Sequence, residues 1–240
     1  PVSFFGYPGI ASQIAPEGAG IPLATPDEDA AAALVDLADA LGAPARAPTL
    51  PDLPLPPAPR GALTPAALGA ALARLQPEGA ILVDEGATSG LAYFAAAEAA
   101  PPHSYLALTG GAIGQGLPCA TGAALACPQR KVISLQADGS GLYTLQALWT
   151  QAREQLDVVT LICANRAYRI LQVELARAGI AEPGPTARSL TDLSHPALDW
   201  TALARGFGVP ATRAQTAEEL MQTLAAALAT PGPSLIEAIL

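Results

Sequence analysis

Lys131–Leu171, KVISLQADGSGLYTLQALWTQAREQLDVVTLICANRAYRIL, decides the fold. Val132–Leu135 is a short apolar run that ends in Ala137-Asp138-Gly139-Ser140-Gly141, and a helical pattern follows through Leu145, Leu148 and Ala152. A second apolar run, Val158–Cys163, ends at Asn165. Strand, loop, helix, strand and loop in this order form a crossover unit, whose two strands are parallel. Asp138 and Asn165, 27 positions apart, then both lie just past the C-terminal end of a strand. In open α/β sheets that edge is where ligands bind. Asp138 offers a carboxylate and Asn165 a neutral amide oxygen, the oxygen donors that suit Mg²⁺ together with water and phosphate. Gly139 and Gly141 allow close approach of backbone to a phosphate, and the N–H groups opening the next helix suit an anion. Read singly, Asp-Gly is a helix cap and Asn a turn residue. The whole assembly points to metal and diphosphate.

With those residues in view, the segment resembles the thiamine-diphosphate motif, which opens Gly-Asp-Gly and closes near Asn-Asn. The chain is similar to the C-terminal domain of the thiamine-diphosphate-dependent 2-oxo-acid decarboxylase and carboligase family, which includes acetolactate synthase large subunits and benzoylformate decarboxylase. Two positions depart from the motif: its first Gly is Ala137, and the first Asn of its usual pair is Ala164. The resemblance implies an α/β fold with an open, mostly parallel sheet and helices on both faces. It also implies thiamine diphosphate and Mg²⁺ as cofactors, with the metal held by Asp138, Asn165 and the Ala167 carbonyl.

Composition bounds the alternatives. With 12 Lys and Arg against 21 Asp and Glu, net charge −9, nucleic acid and anionic membranes are poor partners. No run approaches the ~20 apolar residues of a membrane span. The sequence begins Pro1-Val2-Ser3, without a signal peptide or initiator Met, so it is expected to be part of a longer protein. Cys119, Cys127 and Cys163 read as small buried residues of a reducing, cytoplasmic protein.

Residues 1 to about 26 are rich in Gly, Pro and Ala and read as loop. Residues 27–41 read as a helix capped by Thr25 or Asp27, with Ala30, Leu34, Leu37 and Leu41 as its stripe. The Pro-rich stretch 43–59 reads as an extended linker. By resemblance, residues 1–42 are the trailing end of a middle domain and 60–240 the diphosphate-binding domain. The pyrimidine-binding domain, with its activating Glu, lies outside this chain.

Within 60–240, Thr64-Pro65 opens a helix, and Ala80–Val83 is a buried strand ending in Asp84-Glu85-Gly86-Ala87-Thr88-Ser89. Ala87, Thr88 and Ser89 match the family's second diphosphate loop. Glu85 reads as a structural loop carboxylate, since a carboxylate aimed at a diphosphate would be repelled. Ser104–Leu108 is a strand, followed by Thr109–Pro118, TGGAIGQGLP, and a small-residue helix to Cys127. By resemblance Gly111 offers a carbonyl to the aminopyrimidine, Ala112 adjoins it, and Ile113 is the apolar wedge that bends the cofactor. A β-branched side chain is stiff and suits a wedge. The resemblance also brings Ala137, Asp138, Gly139, Ser140, Asn165, Ala167, Tyr168, Arg169 and Ile170 to the cofactor, and Ile170 and Leu171 to the reacting carbon. Residues 179–197 read as an irregular Pro-rich lid or surface loop, and neither His103 nor His195 sits in a constellation with Ser or Cys. Helices at 199–207 and 216–229, a short segment near Val209 and a strand at 234–239 complete the domain.

Pyruvate decarboxylases carry a Glu where this chain has Leu171. An apolar wall supplies no proton for releasing an aldehyde. The implied reaction is therefore decarboxylation of a 2-oxo acid with carboligation, as in acetolactate synthases. An aldehyde-releasing enzyme of benzoylformate decarboxylase type is the alternative. The resemblance further implies a homodimer or homotetramer with the active site at a subunit interface. A non-catalytic nucleotide- or diphosphate-binding module, or a remnant that has lost the cofactor, are the rival readings; Ala137 and Ala164 speak for the remnant.

Overall fold

The computed structural model describes residues 15–46 and 53–240. The chain divides into two compact units, Pro1–Pro51 and Asp52–Leu240, and the division falls inside the Pro-rich stretch. In the first unit, α1 spans Ala30–Ala40. Its cap is Asp29, whose carboxylate accepts the N–H groups of Ala31 and Ala32. Thr25 and Asp27 do not serve. The N–H and hydroxyl of Thr25 both go to the Glu28 carboxylate, which closes a turn ahead of the helix.

The second unit begins with α2, Pro65–Leu75, capped by Thr64 as its sequence requires. Then come β1 (Ile81–Glu85), α3 (Gly90–Ala96), β2 (Ser104–Ala107), α4 (Gly116–Ala126) and β3 (Val132–Ala137). A single turn, α5 (Asp138–Gly141), precedes α6 (Ala147–Arg153) and β4 (Val158–Ala164). The expected continuous helix after Asp138 is broken between them, where Thr144 turns to donate its hydroxyl to the Gly114 carbonyl at 2.8 Å. The chain closes with α7 (Arg169–Arg177), α8 (Pro185–Thr191), α9 (Trp200–Gly206), β5 (Ala211–Ala214), α10 (Ala217–Ala229) and β6 (Ser234–Ile239). Residues 179–197 are thus not wholly irregular, because Pro185 starts α8 at a position where a missing N–H costs nothing. β1 runs to Glu85, two residues beyond the apolar run, because Glu85 stays in register with Gln136 of β3.

All six strands are parallel, in the order β2-β1-β3-β4-β6-β5. Alternate side chains feed opposite faces. Leu82, Ile133, Leu161 and Ile236 pack under α2, α3 and α10 with Leu68, Tyr93 and Leu220. Ile162 and Leu235 pack on the other face with Leu117, Leu148 and Trp200, and Ile81, Val132 and Val158 with Ala120. Every residue of β4 is buried, as in a sheet covered on both faces. β2 lies on one side of β1 and β3 on the other. The order therefore reverses between β1 and β3, and a crevice opens at their C-terminal ends. Cys163 is buried, whereas Cys119 and Cys127 are only partly covered; all three thiols are free.

Candidate active site at the switch point

Asp138 opens α5 at the end of β3 and is 2 % exposed. Its Oδ1 accepts the Gly139 N–H at 2.9 Å, and its Oδ2 accepts the Arg166 N–H at 2.6 Å. The second bond joins the loops after β3 and β4, so the spacing read from the sequence does bring the two ends together. Arg166 reaches it with φ of 57°. Asn165 folds its amide oxygen onto the Ala167 N–H at 3.0 Å. The stretch 191–193 props this loop from outside: Tyr168 N–H donates to Thr191 O and Leu193 N–H to Arg166 O, each at 2.9 Å. Tyr168 and Leu193 also lie over Gly139, where a Cβ would stand 2.5 Å from the tyrosine ring.

Burial pushes the Asp138 carboxyl up to about 6, while the Arg166 and Gly139 N–H groups pull it back. A desolvated carboxylate served only by backbone donors is a place where a cation lowers the energy. Among the described residues the Ala167 carbonyl accepts no hydrogen bond, and no cluster of three His, Cys, Asp or Glu exists that could hold a metal alone. A carboxylate, an amide oxygen and a carbonyl make an incomplete oxygen shell, which fits Mg²⁺ completed by phosphate and water.

The loop after β1 contributes less than its sequence suggests. Ala87 adopts φ of 48°, and Ser89 is buried with its N–H on the Gly86 carbonyl. Ala87 and Thr88 remain at the rim. Both carboxylates of this strand end are taken up by protein donors. Asp84 takes the Tyr105 hydroxyl at 2.6 Å and the Gly86 N–H at 2.7 Å. Glu85, 1 % exposed, takes the N–H groups of Gly114 and Gly116 at 2.5 and 2.9 Å, and so proves to be the structural carboxylate expected. Ser140, too, is turned inward, accepting from Gln136 at 2.6 Å.

In the Gly-rich stretch, Gly110, Gly111 and Gly114 all have positive φ, and Ile113 stands out from the domain, 41 % exposed. Ile170 is half-buried at the start of α7, with Leu171 beside it 46 % exposed and Arg169 exposed. Tyr143, unremarked in the sequence, is exposed next to Gly114. Gln136 was equally invisible, since a polar residue inside an apolar strand gives no signal until its neighbours are known. His103 is structural, bonded to the Tyr93 hydroxyl and the Pro101 carbonyl. His195 does have a serine and an aspartate beside it, contrary to expectation. Ser194 Oγ and Asp192 Oδ2 both meet the same ring atom, Nδ1, at 2.7 and 3.2 Å. A nucleophile and an orienting acid would need opposite nitrogens, so this exposed group is no catalytic triad.

A parallel sheet whose switch-point loops gather one buried carboxylate, an amide oxygen and a Gly-rich stretch defines a diphosphate-binding α/β domain. Residues 84–238 match the thiamine pyrophosphate enzyme family, C-terminal TPP binding domain, and the chain belongs to that family. It is 46 % identical over its whole length to a Mycobacterium tuberculosis protein provisionally named acetolactate synthase large subunit IlvX, of which it covers 46 %. It is 40 % identical over 188 residues to benzoylformate decarboxylase of Pseudomonas aeruginosa, covering 77 % of this chain and 34 % of that one. Among solved structures, a thiamine diphosphate-dependent 4-hydroxybenzoylformate decarboxylase of Rhodococcus jostii RHA1 superposes with a TM-score of 0.72 at 32 % identity. That match covers 87 % of this chain and 38 % of the other. The chain thus spans less than half the length of these relatives.

Proposed function

We propose that residues 60–240 form the diphosphate half of a thiamine-diphosphate and Mg²⁺ dependent site that decarboxylates a 2-oxo acid. The observation that supports this reading is the Asp138–Arg166 bond, which ties the turn bearing a buried carboxylate to the loop that carries the Asn165 amide oxygen and the Ala167 carbonyl. Asp138, Asn165 and the Ala167 carbonyl hold the metal. Gly139 and the rim at Ala87 and Thr88 admit the diphosphate, with Ser89, Ala137 and Ser140 supporting those turns from behind. Thiamine diphosphate, when bound, supplies the nucleophilic carbon and electron sink. The chain's own residues orient it: the Gly111 carbonyl and Ala112 take the aminopyrimidine, and Ile113 presses from below. Tyr168 and Arg169 flank the entrance, and Ile170 and Leu171 exclude water from the reacting carbon.

Because Ile170 and Leu171 carry no proton, the first reading is carboligation of the acetolactate synthase kind. Similarity to two benzoylformate-type decarboxylases supports the second, release of an aldehyde from an aryl 2-oxo acid. In either case the activating Glu comes from a pyrimidine-binding domain outside residues 1–240, across an interface in a homodimer or homotetramer. Residues 1–42 belong to a middle domain and 43–59 to the linker behind it. Three free thiols fit a reducing cytoplasm, and no described helix is long and apolar enough to cross a membrane.

Calorimetric titration with thiamine diphosphate tests the site. Binding should require Mg²⁺, vanish with EDTA and in Asp138→Ala, and weaken strongly in Asn165→Ala. Unchanged affinity in a folded Asp138→Ala protein, or equal affinity for ADP, would defeat the assignment. The reaction is tested in the full-length protein by following acetolactate and acetaldehyde from pyruvate, with benzoylformate in parallel. Aldehyde alone, or turnover of benzoylformate but not pyruvate, selects the second reading.

A further inference from the structure

We infer that Glu85 is a positioning residue for the loop that carries Ile113, and that Gln136 ties this loop to the Asp138 turn so that the two are set as one unit. The catalytic consequence rests on the function proposed above; the anchoring does not. Glu85 is a carboxylate at the end of β1 with no basic partner among the described residues: its donors are the Gly114 and Gly116 N–H groups and Gln136 Nε2, the last at 2.8 Å. Gly116 is the first residue of α4, an 11-residue helix, so the buried charge sits at the positive end of a helix dipole. A helix ordinarily takes its cap from its own N-cap residue. Here Gln115 makes no such bond, and the cap comes from a strand about 30 positions earlier. The start of α4, and Ile113 just ahead of it, are therefore located by β1 rather than by their own turn.

The second tie runs through Gln136, which is fully buried. Its Nε2 is shared between Glu85 and Ser140 Oγ, and Ser140 Oγ in turn donates to the carbonyls of Glu85 and Ala137. Ser140 is two residues from Asp138. A third tie comes from Thr144, whose hydroxyl holds the Gly114 carbonyl. Gly114 is thus gripped at its N–H from β1 and at its C=O from the segment after the Asp138 turn. No side chain can replace the glycine at 116, because a Cβ there would fall 2.6 Å from Gln136 Oε1 and 2.7 Å from the Glu85 carboxylate. That Oε1 has no hydrogen-bond partner among the described residues. An orphaned buried oxygen is costly. It is accepted here where the same amide's Nε2 bridges the two loops.

The test uses Glu85→Gln, which keeps the shape but cannot accept from all three donors, and Gln136→Met, which removes the bridge and keeps the volume. Hydrogen exchange of single amides is compared with the parent, and turnover per bound cofactor and cofactor affinity are measured in the full-length enzyme with Mg²⁺ and thiamine diphosphate. In Glu85→Gln the Gly114 and Gly116 amides should exchange at least about tenfold faster while those of β4 stay protected. Turnover per bound cofactor should fall at least about tenfold, with affinity held within about threefold. Gln136→Met should move both readouts the same way and less. Faster exchange with unchanged turnover per bound cofactor would reduce Glu85 to a helix cap and overturn the inference. Unchanged exchange, or loss of β4 protection in both variants, would overturn it as well. If the parent binds no thiamine diphosphate, the proposed function fails alone, and exchange at Gly114 and Gly116 still decides the anchoring.

Discussion

Two glycine-to-alanine changes in the same domain should have opposite signs. Gly69 lies inside α2 and Gly122 inside α4. Each alanine gains about 1 kcal/mol of helix propensity. At Gly122 a Cβ would meet nothing within 4 Å, so that gain is kept. At Gly69 a Cβ would stand 2.6 Å from the Ala92 carbonyl oxygen and 2.8 Å from the Tyr93 nitrogen. Both are backbone atoms of α3, and no rotamer change can clear them; the two helices must separate. Overpacking of this kind costs roughly 1–3 kcal/mol, and more when backbone moves. Gly69→Ala should therefore lose about 1–2 kcal/mol net, while Gly122→Ala gains about 0.5–1 kcal/mol. In a chain of this size each kcal/mol shifts Tm by about 2–4 °C. Urea unfolding followed by circular dichroism reads both, with equal m values showing that only stability has changed. Because α3 leads out of the 86–89 turn, only Gly69→Ala should also weaken thiamine diphosphate binding. If Gly69→Ala stabilises as much as Gly122→Ala, the close α2–α3 contact described here is wrong.

Three further outcomes follow from the same geometry. Arg213→Ala removes the guanidinium from Glu237, whose side chain is 2 % exposed, and leaves a buried charge unpaired. It should cost about 2–4 kcal/mol, at the lower side of buried pairs because the arginine is partly in water; the double variant with Glu237→Leu should recover most of it, and a loss under 0.5 kcal/mol would refute the pairing. Burial holds the Asp84 carboxyl above its ordinary value, so its contribution to stability is fullest below about pH 4 and declines as pH rises through the folded-state value. Asp84→Asn should therefore gain on the parent in urea midpoint between pH 4 and 7; a gap that narrows with rising pH would contradict this. Ile113→Ala should lower turnover far more than cofactor affinity in the full-length enzyme, and the reverse pattern would make Ile113 simple packing.

Most of the sheet was legible because parallel strands covered on both faces read as unbroken apolar runs, and Val158–Cys163 is one. Asp138 and Asn165 were legible because polar residues that end such runs must lie at the sheet edge. Local competition hid other details. Asp29 is the cap because the helix starts at Ala30 rather than at 27, while Thr25 is held by Glu28 in the turn ahead of it. α8 was hidden in the Pro-rich stretch 179–197, where Pro185 is a first-turn residue. Ala211–Ala214 is a short edge strand with little apolar pattern. The roles of Glu85 and Gln136 depend on contacts across 29 and 51 positions, which no local pattern encodes.

The uniform direction of the six strands has a consequence for rebuilding the molecule. Every candidate ligand-binding group leaves the sheet on one edge, and a strand of six residues puts the opposite edge about 20 Å away. That far edge holds the turns entering the strands, where Arg130 clamps the carbonyls of Gly79 and Ala80, and Lys131 pairs with Asp157. A tag, a fluorophore or an inserted domain placed in an exposed turn there, such as at Pro231, meets none of the candidate chemistry. The protein thus offers one edge for altering what it binds and another for attaching what it should carry.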